Sequence, residues 1–159
     1  MMKYALGLLA CLFAAHLPSA ASAQSFGEWG VSARQGYQEH IVSNGPGNSF
    51  NITCDIGAAG DGEPKRTSIF IEIVGKPPAP KSLADVFVID EVFRLPVDEK
   101  GVIGTDCRVC AGSFMALWTK LRKSSVMVVQ LSDGRSSKFK TTGAAKALAS
   151  KPCETGTTP

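Results

Sequence analysis

SVMVVQLSDGRSSKFKT, residues 125–141, decides the fold class. Ser125 to Leu131 is an apolar, β-branched run, Asp133-Gly134 is a turn dipeptide, and Ser137 to Thr141 is a second short run. That order predicts an antiparallel hairpin. Immediately upstream, Phe114, Leu117, Trp118 and Leu121 recur at spacings of three and four, and Lys120, Arg122 and Lys123 crowd the final turn. Cations there suit the helix dipole, so an amphipathic helix is expected over residues 112–123.

Farther toward the N-terminus the pattern is strand and turn. Trp29 to Ala33 is a short candidate strand, and Phe50, Ile52 and Cys54 alternate with polar neighbours after the Gly45-Pro46-Gly47-Asn48 turn. Ile69 to Val74 is β-branched with Glu72 on a solvent face, and Val86 to Leu95 reads as one further strand region. Gly57 to Glu63 carries three glycines and reads as an exposed loop; Pro77, Pro78 and Pro80 interrupt any ladder. Gly143 to Ala149 offers one or two terminal helical turns before Pro152. Many short strands without alternating long helices predict a mainly β protein, an antiparallel β-sandwich or distorted barrel with one short amphipathic helix.

The first 23 residues bear on location. Lys3, the apolar run Ala5 to Leu17 and the triplet Ala21-Ser22-Ala23 have the layout of a cleaved secretory signal, which puts the mature start at Gln24. Leu8-Leu9-Ala10-Cys11 competes as a lipid-attachment box, but bulky Leu9 and the short apolar stretch before Cys11 argue against it. The expected organisation is a signal peptide over 1–23, a single β-rich domain over 24–153 and a disordered tail over 154–159. The expected location is periplasmic or secreted, with no integral membrane segment after cleavage.

Four cysteines then remain, Cys54, Cys107, Cys110 and Cys153, in a compartment where paired thiols persist. Cys107 with Cys110 and Cys54 with Cys153 is the preferred pairing, although four cysteines allow three connectivities. Cys107-x-x-Cys110 before a helix also fits a thiol–disulfide oxidoreductase, but Gly101 to Asp106 is not the buried strand of a thioredoxin-type βαβ unit, and Asp106 opposes a thiolate. His40 stands alone in the mature chain, without a nucleophile motif, and reads as an exposed loop histidine. Scattered Cys54 and Cys153 disfavour zinc. No catalytic residue, metal or cofactor is expected, and no aromatic–basic interleaving points to nucleic acid.

Charge is uneven. Residues 24–100 carry 7 Lys/Arg against 11 Asp/Glu, and residues 101–159 carry 9 against 3. Lys120, Arg122, Lys123, Lys138 and Lys140 therefore form a candidate basic contact face for an acidic protein or envelope component.

Leu95-Pro96, Gly101, Gly104, Cys107, Cys110, the helix Ala116 to Leu121, the strand Val126 to Leu131 and the segment Gly143 to Leu148 together resemble the invasion-associated locus B family, as does the opening Phe26-Gly27-Glu28-Trp29. The resemblance implies a secreted or envelope-located β-rich domain for host or envelope interaction, with no catalytic residues to carry over. The leading expectation is a non-catalytic binding protein. A periplasmic inhibitor or immunity-like protein using loops Gly57–Glu63 and Lys76–Lys81, and a redox enzyme using Cys107 and Cys110, are the alternatives.

Overall fold

The computed structural model describes residues 23–60 and 62–157, so the expected signal segment lies outside the described residues apart from Ala23. The hairpin that decides the fold forms as expected. β9 (Val126–Leu131) and β10 (Ser136–Lys140) pair antiparallel, with Val126 opposite Lys140 and Gln130 opposite Ser136. Before them come β1 (Ala23–Phe26), β2 (Trp29–Arg34), β3 (Tyr37–Ser43), β4 (Ser49–Asp55), β5 (Thr67–Glu72), β6 (Leu83–Val88), β7 (Glu91–Pro96), β8 (Ile103–Gly104) and α1 (Arg108–Leu121); α2 (Ala144–Ala147) follows.

The strands make two antiparallel sheets, one in the order β1-β2-β3-β4-β5-β8 and one in the order β10-β9-β6-β7. The protein is mainly β and sandwich-like, and each sheet keeps open edges, so there is no closed barrel. Alternation decides which face is buried: Phe50, Ile52 and Cys54 of β4, Ile69 and Ile71 of β5, Val86 and Val88 of β6, and Met127, Val129 and Leu131 of β9 all join one core. Burying each large apolar side chain of this kind contributes roughly 1.5–3 kcal/mol.

Helix α1 packs on β6 and β7 and buries Ala111, Phe114, Leu117, Trp118 and Leu121. Its polar tryptophan edge is satisfied, since Trp118 Nε1 donates to the Ala149 carbonyl at 2.9 Å. The helix begins four residues earlier than its apolar period suggests because Cys107 caps it: the sulfur accepts the Cys110 N–H at 3.0 Å. α2 packs on β1 and β2 and supplies the expected terminal turns.

Two expectations change. Val86 to Leu95 is two strands, because Val88 pairs with Glu91 and the chain reverses at Ile89-Asp90. His40 is not an exposed loop residue; it lies on β3 with its side chain in the core, 2% exposed. Polar Gln38, Glu39 and His40 hide that strand from a hydrophobic pattern. Of the segment expected as a disordered tail, residues 154–157 are described: Thr67 Oγ1 of β5 donates to the Glu154 carbonyl at 2.6 Å, and Thr155 is buried.

Candidate functional site: the groove on the six-stranded sheet

The outward face of β2 to β5 is a groove of about 1190 Å³. Register places its residues in rows: Ile41, Asn51 and Phe70 in one, Ser32, Glu39, Thr53 and Ser68 in the next, and Arg34, Tyr37 and Asp55 in the third. Tyr37 and Phe70 are exposed aromatics at 45% and 42%. They stand two strands and four residues apart, a diagonal of about 17 Å from strand spacing and rise.

Between them the floor is polar. Glu39 is its hub, accepting from Ser32 Oγ at 3.3 Å and from Asn51 Nδ2 at 3.5 Å. Asn51 Oδ1 and Thr53 Oγ1 are buried atoms without a hydrogen-bond partner. Leaving such groups unpaired costs about 1–3 kcal/mol each.

One wall is the loop after β4, and Asp55 fixes it. Its carboxylate accepts the backbone N–H groups of Gly57, Ala58 and Ala59 at 2.9, 2.8 and 3.0 Å. These bonds, that of Gly57 first, with Lys65 adding a favourable charge, hold the Asp55 carboxyl below its ordinary value despite some desolvation. The β2–β3 turn meets this loop closely. Ile56 donates to the Gly36 carbonyl at 2.8 Å, and a Cβ on Gly36, whose φ is +81°, would lie 2.5 Å from the Ala58 nitrogen. Only glycine fits there. The sequence marked this loop by its glycines, yet the groove depends on β3, which the sequence reading missed.

The proposed basic residues separate. Lys138 and Lys140 are exposed on β10, opposite Val128 and Val126, and exposed Lys123 lies beside the same valines. Lys120 instead pairs with Glu91, and Arg122 Nε donates to the Leu148 carbonyl at 3.0 Å.

The four cysteines form the pairs Cys54–Cys153 and Cys107–Cys110, with Cα atoms 5.7 and 5.0 Å apart. The strand before the second pair is only Ile103–Gly104 and runs antiparallel to β5, so it does not build a thioredoxin-type βαβ unit. Asp106 pairs with Arg66 at 3.5 Å. His40 lies by the first pair. Its ring meets Trp118 edge-on at 5.4 Å, and neither ring nitrogen has a hydrogen-bond partner. Burial pushes its pKa down, offset only in part by the nearby Ala147 carbonyl. Among the described residues no helix is long and apolar enough to cross a membrane.

Comparison with curated proteins and with solved structures finds no match. A protein-family model does match, and it overturns the resemblance to the invasion-associated locus B family, which rested on small residues and cysteine spacing that unrelated disulfide-bonded β proteins share. The match, to YfjT, runs over residues 27–148, from the turn after β1 to the end of α2, and the chain belongs to the YfjT family.

Proposed function

We propose that the protein is a non-catalytic binding domain of the periplasm or cell exterior, and that the groove on its six-stranded sheet holds a hydroxyl-rich chain such as an oligosaccharide. The observation that carries this reading is the polar floor of Ser32, Glu39 and Asn51, flanked by exposed Tyr37 and Phe70. Sugar rings present hydroxyl groups at their edges and apolar C–H faces, which suit a polar floor and aromatic faces. The 17 Å diagonal has room for a few rings.

Binding is favoured over turnover by how the carboxylates are used. Glu39 and Asp55 are already engaged as acceptors, Glu39 by the side chains of Ser32 and Asn51 and Asp55 by backbone N–H groups. The exported location is supported by the N-terminal segment and the two cysteine pairs. Intact mass of the exported protein is expected to begin at Gln24.

The test is calorimetric titration with a panel of neutral and acidic oligosaccharides. Replacing Tyr37 and Phe70 together by Ala is expected to weaken binding at least about tenfold, which corresponds to about 1.4 kcal/mol. Unchanged affinity in that variant, or no saccharide bound by the native protein, overturns the reading.

A further inference from the structure

His40 is the residue the groove does not explain. It is 2% exposed, neither ring nitrogen makes a hydrogen bond of normal geometry although the Ala147 carbonyl is near, and a ligating atom of His40 lies within 4.8 Å of the sulfurs of Cys54 and Cys153. A buried imidazole without a well-formed hydrogen bond costs about 1–3 kcal/mol, so an apolar residue would serve this position better if packing were its whole role. The three side chains come from β3, from β4 and from the segment after α2, so the fold and not the local sequence brings them together. Cys153 is the partly exposed member, at the start of the terminal segment held against β5.

We propose that reducing the Cys54–Cys153 disulfide converts this cluster into a binding site for a thiophilic d10 cation, Zn(II), with Cys54, Cys153 and His40 as ligands. A dithiol reductant supplies the two electrons and two protons and becomes a disulfide itself; Cys54 and Cys153 become thiols. Zn(II) then displaces both thiol protons. Two thiolates and a neutral imidazole leave the buried centre without net charge, whereas Cu(I) would leave it at −1, which burial disfavours. Three protein ligands leave a fourth position for water from the Cys153 side. In the disulfide form the sulfurs are spent on each other and the site is closed.

The experiment uses the full mature chain carrying Cys107→Ser and Cys110→Ser, so that only one cysteine pair can respond. A water-soluble phosphine reduces the disulfide; it is oxidised to the phosphine oxide, with water supplying the oxygen and the two thiol protons. Zn(II) is titrated against a chromophoric chelator, and Co(II) reports thiolate ligation by its charge-transfer band. One zinc per reduced chain and none per oxidised chain are expected, with affinity falling at least tenfold in His40→Phe, which fills the core without a ligating nitrogen. Equal affinity in His40→Phe, no zinc bound on reduction, or cuprous ion bound in place of zinc overturns the proposal. If reduction unfolds the chain, zinc must restore the near-ultraviolet circular dichroism with His40 present and not with Phe; failure to do so overturns it equally.

Discussion

Arg135 Nη1 donates to the Ile73 carbonyl at 2.7 Å, joining the β9–β10 turn of one sheet to the end of β5 in the other. The same guanidinium reaches the carbonyls of Lys76 and Pro77, both at 2.8 Å, while Asp133 braces it from below with two further bonds of 2.8 and 2.7 Å. Five donors in a planar fork are needed to serve acceptors spread in this way. The bracing guanidinium in turn lowers the Asp133 carboxyl below its ordinary value.

Arg135→Met removes three donors to main-chain carbonyls, and hydrogen bonds from a charged donor contribute about 1.5–3 kcal/mol each when intact. With water partly replacing them, a loss of about 2 kcal/mol in urea unfolding is expected. Arg135→Lys recovers less than half of that, since an ammonium cannot span the same acceptors. A lysine variant as stable as the native chain would show that charge, not the fork, holds the sheets at this corner.

Gly36→Ala tests the groove wall. The new methyl would meet the Ala58 backbone at 2.5 Å in a left-handed conformation, so either the turn or the loop must move. A loss of about 1–3 kcal/mol is expected from the strained backbone. Amide chemical shifts should move at Ala58 and Ala59 and stay fixed in β9 and β10. A uniform response across both sheets would mean that the loop and turn are not a separate wall.

Much of this architecture was legible in the sequence, and the reasons are local. The β9–β10 hairpin announces itself by a β-branched run and Asp133-Gly134, and the helix face by Phe114, Leu117, Trp118 and Leu121. β3 was not legible: it alternates Gln38, His40 and Val42 inward, and two of those three are polar. The groove was lost with it, because a row such as Glu39 and Thr53 exists only once register is set. Only pairing between strands shows that Asn51 and Phe70 adjoin. The His40 cluster depends likewise on contacts far apart in sequence.

Acid should open the groove before it unfolds the core. The Asp55 carboxyl is depressed in the folded chain, so its contribution is fully present above the ordinary carboxylate value and is lost as pH falls through the lower, folded value. The affected window therefore lies below about pH 4. Protection factors at residues 57–59, taken relative to the intrinsic exchange rate at each pH, are expected to fall there while the β4 core amides stay protected. Asp55→Asn should show fast exchange in this loop at neutral pH, with the acid step gone. An acid step at residues 57–59 that persists in Asp55→Asn overturns this role for Asp55.

The basic residues of the C-terminal half divide by what they touch, and mutation should divide them in the same way. Lys138 and Lys140 project from an edge strand into solvent, so reversing both to Glu is expected to change stability by no more than about 0.5 kcal/mol. Arg122 is different. It terminates α1, its backbone N–H reaches Trp118 and Lys120, and its Nε holds the Leu148 carbonyl after α2. Arg122→Glu removes that bond and places an anion at the negative end of the helix dipole, costs that together come to about 2 kcal/mol. Thermal unfolding of the two variants side by side measures the contrast. A destabilised Lys138/Lys140 double variant would mean that these lysines support the sheet edge, and would remove them as a free surface for an acidic partner.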